Sequence, residues 1–183
     1  MKVSLIARIL YPARLRRLKR FCLGHWDSSL GQMHGPEHWE RVRVFAHLLS
    51  PKDGIDFMVT DAFAYLHDVE RHDNLEDPQH GPRAAALVRR IRRTYLRYLN
   101  DSQVALLCKA CEQHTAAQST GEYIIDLCFD ADRLDLPRGG IIPDPERMAT
   151  HLGADMVKDD DYLEFWEKIR LSMAGGRTVS PKL

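Results

Sequence analysis

The chain has 183 residues, 44% of them hydrophobic and 28% charged, with Lys+Arg and Asp+Glu equal at 26 each. That length suits one hydrophobic core and is short for two domains, and the charge balance excludes an overall polyanion-binding or acidic solvating character. No apolar stretch approaches the length needed to cross a bilayer.

The charge is nevertheless uneven, because Lys2, Arg8, Arg14, Arg16, Arg17, Lys19 and Arg20 all precede the first acid, Asp27. Helical apolar spacing over 2–10 and 13–22, broken by Pro12, predicts two basic helices within residues 1–26 that pack on the domain through Leu15, Leu18, Phe21 and Cys22. The stripe Val3, Ile6, Ile9 and Leu10 suits an anionic membrane surface or, as the commoner outcome, the domain's own core. The opening MKVSLIARIL starts like a signal peptide, but Arg8 interrupts its apolar part and no small-residue cleavage site follows.

Gly35-Pro36 opens a predicted helix through Leu49, with Trp39, Val42, Ala46 and Leu49 apolar. A turn at Ser50–Gly54 leads to a second core helix from about Asp56 to Val69. A polar loop, 70–79, precedes a long helix from near Pro82 to about Leu99, whose Arg89, Arg90, Arg92, Arg93 and Arg97 mostly face water. Asn100-Asp101-Ser102 caps the next helix, which reaches His114. Further helices are expected over 120–136, around 144–152 after the irregular Gly139-Gly140 crossover, and from Asp159–Asp161 through Met173. The fold expected is therefore a single all-α domain over 27–174, with 175–183 a flexible tail. Four cysteines, Cys22, Cys108, Cys111 and Cys128, make no disulfide framework and suggest a reducing cytoplasm. Cys108, Cys111 and His114 have zinc-like spacing, but no second cysteine pair completes such a site and successive helical turns explain it.

Several residues of ligand type fall in a telling order. His67-Asp68 closes the apolar run Ala62–Leu66; His38 lies in HWERV, His80 in QHGPRAA, His114 in EQHT and Asp132 in DADRLD. Imidazole and carboxylate hold a hard or borderline divalent cation while leaving positions for water and phosphate oxygens. Taken singly, His38 could be a packing histidine and Asp68 a solvated helix-end acid, although the helix dipole disfavours a carboxylate at a C-terminus. Asp130 and Asp135 compete with Asp132, and His34 sits one turn before His38.

From about His34 to about Pro143 this order resembles the HD-domain superfamily of metal-dependent phosphohydrolases. HGPEHWERV is similar to the first-ligand helix, LHDVER to the namesake dyad, FDADRLD to the closing aspartate, and DPQHGPRAA to the segment that carries an extra histidine in two-metal members. The resemblance implies an HD-type helical bundle with His38, His67, Asp68 and Asp132 as metal ligands. His80 and His114 would hold a second ion or contact phosphate. It further implies Arg71 and Arg83 as phosphate clamps, His34 as an outer or substrate-binding group, and Asp68 as the group orienting a metal-activated water. Arg71 stands where relatives with an HDIGK motif have lysine, and Glu70 replaces their glycine. One or two divalent ions (Mn, Mg, Co, Ni, Zn or Fe) and a small phosphate ester, a nucleotide or related mono- or diester, follow as expectations. No strong nucleic-acid signal is present, and homo-oligomerisation is left open. A di-iron oxygenase and a non-catalytic nucleotide sensor are the competing readings.

Overall fold

Segments with helical apolar spacing form helices throughout the computed structural model, which describes residues 5–50 and 57–174 and contains no strand among them. Eight α-helices follow one another within these residues: α1 (Leu5–His25), α2 (Pro36–Leu49), α3 (Phe57–Leu66), α4 (His80–Tyr95), α5 (Asp101–Gln113), α6 (Tyr123–Arg133), α7 (His151–Lys158) and α8 (Tyr162–Ala174). Short 3-10 segments at Ser28–Leu30, Leu136–Gly139 and Pro145–Arg147 join some of them. The chain is all-α, as its patterning predicts. No helix among the described residues is long and apolar enough to cross a membrane.

The core is built where α2, α3, α5 and α6 meet, with Trp39, Phe45, Phe63, Leu66, Leu107 and Phe129 all buried. Each such side chain contributes roughly 1.5–3 kcal/mol of burial energy. α4 and α5 pair closely across a short connection, with Asn100 and Gln103 forming a reciprocal capping box at the start of α5.

Several boundaries differ from expectation for physical reasons. The two N-terminal helices are one: α1 runs through Pro12 and packs on α3 and α4. Proline costs one backbone bond, which docking of the same helix outweighs, since Leu18 and Cys22 are fully buried and Tyr11 donates its hydroxyl to Asp61. α3 ends at Leu66, so the His67-Asp68 dyad lies just beyond the helix, in turns closed by Val69 N–H to Leu66 O and Arg71 N–H to Asp68 O. α4 starts at His80 and stops at Tyr95, shorter than expected. Ser119, Thr120 and Gly121 are not helical but bind the Asp126 carboxylate ahead of α6. The expected helix at 144–152 resolves into the 3-10 turn at Pro145–Arg147 and α7, which Thr150 caps by accepting from Gly153 N–H. The side chains of Val3, Ile6, Ile9 and Leu10, the turn from Pro51 to Gly54 and the tail 175–183 lie outside what the structure describes.

Candidate metal centre

α2 begins with Pro36 at its first turn, which places His38 on the buried face two residues later. The non-helical turn after Leu66 frees His67 and Asp68 from helical divergence, and α6 delivers Asp132 in its last turn. The Nε2 atoms of His38 and His67 lie 3.0 Å apart, and Asp132 Oδ1 lies 3.3 Å from the first and 3.7 Å from the second. Asp68 Oδ2 is 3.5 Å from both. Ligand atoms bound at about 2.1 Å to one ion sit roughly 3.0–3.4 Å from their neighbours, so the spacing fits. On the other side, Asp68 Oδ1 lies 3.2 Å from His80 Nε2 and 3.7 Å from His114 Nε2, which are themselves 2.8 Å apart. The sequence-expected residues thus fall into two groups that could hold a cation, His38–His67–Asp132 and Asp68–His80–His114.

Each histidine in these groups turns its other nitrogen to an acceptor. His38 Nδ1 faces Asp135 Oδ2 at 2.7 Å, His67 Nδ1 the Phe63 carbonyl at 3.1 Å, and His114 Nδ1 the Cys111 carbonyl at 2.8 Å; His80 Nδ1 meets the Asp77 carbonyl. When Nδ1 donates its proton, Nε2 carries a lone pair. With all four rings neutral, the buried interior would hold lone pairs pointed at one another and at carboxylate oxygens, a repulsive arrangement that a proton on His38, the neighbouring Arg71 guanidinium or a bound cation relieves. Asp68 Oδ1 and Asp132 Oδ1 are buried without a hydrogen bond of acceptable geometry. The donor set fits a divalent cation on these grounds.

Protonation follows the same logic. Burial and the Arg138 charge oppose a proton on His38, but the nearby Asp132, Asp135 and Asp68 carboxylates outweigh them and raise it to about 9. Burial pushes His67 down to about 3. Burial would raise Asp68 and Asp132, yet the surrounding histidines hold both well below the usual carboxylate range. Without metal, one proton on His38 partly replaces the missing positive charge.

The remaining expected residues are placed variously. His34 Nδ1 lies 2.8 Å from Asp68 Oδ2, and this ring is only partly buried. Arg71 is buried, with Nη1 3.3 Å from His80 Nε2 and 3.6 Å from Asp68 Oδ1 and its other donors on the Asp73 and Leu75 carbonyls. Arg83 is committed elsewhere: its guanidinium donates to the Glu70 carbonyl and to Asp77, bracing the 70–79 loop. Asp130 accepts from the Ala149 and Thr150 backbone and shapes the entry to α7. Cys108 and Cys111 are free, and burial raises both thiols, which disfavours the thiolate a zinc site requires. Sequence reasoning missed Arg138, 3.9 Å from Asp132 Oδ1, and the pair Arg41 and Trp166, which bind Asp135 behind His38. Arg41 stands one helical turn after His38, a spacing that could have drawn attention to it.

Comparison of the chain with family models, curated proteins and solved structures gives no match.

Proposed function

We propose that this protein is a metal-dependent phosphohydrolase of HD type, acting on a nucleotide or related phosphate ester. The observation that carries the reading is the convergence of lone-pair nitrogens and buried carboxylate oxygens from separate helical regions. Such a set is costly as an apolar core and coherent as a cation site. His38, His67, Asp68 and Asp132 would hold one ion, and Asp68 with His80 and His114 a second. A divalent ion in this ligand set supplies Lewis acidity toward a phosphoryl oxygen and makes water a nucleophile near neutral pH.

The chain's own groups supply the rest. Arg71 and Arg138 stand beside the carboxylates, where guanidinium charge offsets the negative charge of a phosphoryl group. His34, hydrogen-bonded to Asp68 and partly open to solvent, would pass a proton between the carboxylate and bulk water. His38, His67 and Asp68 are buried from solvent, and His34 and Asp132 are the partly exposed members of the set.

The test is direct. Protein purified without chelator is analysed for metal, stripped, and assayed anaerobically on phosphomonoesters and phosphodiesters with Mg²⁺, Mn²⁺, Co²⁺ or Ni²⁺. Phosphate release without oxygen supports hydrolysis. Turnover that requires iron and oxygen, with no ester cleaved, would replace this reading by a di-iron oxygenase built on the same two groups of ligands. Nucleotide binding with no turnover under any metal would favour a sensor.

A further inference from the structure

We infer that Asp135 is the positioning residue of this centre and that α8 braces it. The inference rests on the metal reading and adds a residue that does not touch the ion. Asp135 is fully buried, and both its oxygens are used. Oδ2 takes the Nδ1 side of His38 at 2.7 Å, which fixes the ring so that Nε2 faces His67 and Asp132. Oδ1 accepts from Arg41 Nε at 2.7 Å and from Trp166 Nε1 at 2.8 Å.

The carboxylate is thus clamped from α2 and α8 before it acts on His38. Tyr162, also on α8, donates to the Leu134 carbonyl at 2.5 Å, which holds the backbone of the neighbouring residue. An anionic acceptor behind an imidazole selects the tautomer with a lone pair on Nε2 and increases its basicity toward a cation. The fixed ring also incurs less ordering cost when the ion binds. Asp130, nearer the middle of α6, has no such role, since its oxygens are taken by the Ala149 and Thr150 backbone.

Asp135→Asn keeps the size of the side chain but removes its charge, and its amide can donate to His38 Nδ1 and drive the proton onto Nε2. Titration of chelator-stripped protein with Mn²⁺ or Co²⁺ should show affinity falling about 10–100-fold, with the metal-induced gain in Tm shrinking in step. Trp166→Phe, which keeps an aromatic ring but drops the N–H, should give a smaller loss in the same direction. Asp130→Asn serves as the control for a purely structural carboxylate: Tm of the stripped protein should fall while metal affinity stays at the wild-type value. Wild-type affinity in folded Asp135→Asn overturns the positioning role alone. If that variant does not fold, unchanged affinity in Trp166→Phe overturns the brace. Absence of metal uptake by the wild-type protein overturns the metal reading, and this inference with it.

Discussion

Gly81 lies so close to the Cys111 carbonyl that a Cβ at position 81 would stand 2.5 Å from that oxygen. The contact lets the start of α4 meet the end of α5, and it is this approach that sets His80 beside His114. A methyl group there must push the helices apart, and overpacking of this kind costs typically about 1–3 kcal/mol. Gly81→Ala should therefore lower Tm and reduce metal bound at the Asp68–His80–His114 group, while the His38–His67–Asp132 group retains its ion. Metal content and thermal melting, measured on the same preparation, check this. Unchanged stoichiometry would show that the two histidines tolerate the separation.

Asp68 faces both groups of histidines, Oδ2 toward His38 and His67 and Oδ1 toward His80 and His114. Asp68→Ala should abolish metal-dependent phosphate release, a loss larger than the about 10–100-fold associated with outer partners. Tm of the stripped variant should also fall, because the surrounding histidines stabilise the ionised carboxylate in the folded chain, so activity is assayed well below that Tm. Full activity of the remetallated variant would exclude Asp68 from the chemistry.

Metal-free protein should have a stability maximum near neutral pH. His38 is raised to about 9 in the folded chain, so its contribution is complete below the ordinary histidine value of 6.5 and is lost as pH rises toward 9. His67, depressed by burial to about 3, acts in the other direction: the unfolded chain takes up its proton first, and stability falls as pH drops from 6.5 toward 3. Asp68 and Asp132, both held low, add to the acid loss below their ordinary range near 3.8. Bound metal replaces the His38 proton and should flatten the alkaline limb. Tm of stripped and loaded protein from about pH 5 to about pH 9, spanning the histidine range, measures both limbs. A stripped-protein Tm that climbs on the alkaline side of neutrality would contradict the assignment.

A buried polar tether away from the site offers a contrast. Asp61 accepts from Tyr11 of α1 and lies 2.7 Å from His47 Nε2 of α2. Tyr11→Phe removes one partner of a buried carboxylate and should cost about 1–3 kcal/mol of stability. Metal affinity should stay unchanged. A loss of metal binding in this variant would show that α1 supports the site as well as the fold.

The ligand-type residues are legible in the sequence because their chemistry is rare in apolar helices: His38, His67 and Asp132 stand among residues that pack, and the structure brings them within a few ångströms. The role of Asp135 is not legible there. In DADRLD the three carboxylates are chemically identical, and only the direction in which each leaves α6 and the following turn assigns one to His38, one to the candidate ion and one to the α7 cap. Arg83 shows the same limit, because its distance from the dyad in sequence says nothing of the Glu70 carbonyl and Asp77 that occupy it. Pro12 misleads for a different reason. Local propensity argues for a break there, whereas the burial of Leu18 and Cys22 is a tertiary gain that propensity does not contain.

His38 and Asp135 are 97 positions apart in the chain, yet their contact fixes the ring at the centre of the site. Assembly of the ligand cluster therefore requires tertiary packing that local helix formation alone does not supply. A damaged variant can keep its helical circular dichroism and still fail to load metal. If the cluster loads an ion as proposed, metal content will report the integrity of the whole bundle more sensitively than helicity does, and a lost activity would identify a catalytic group only where the variant still takes up metal.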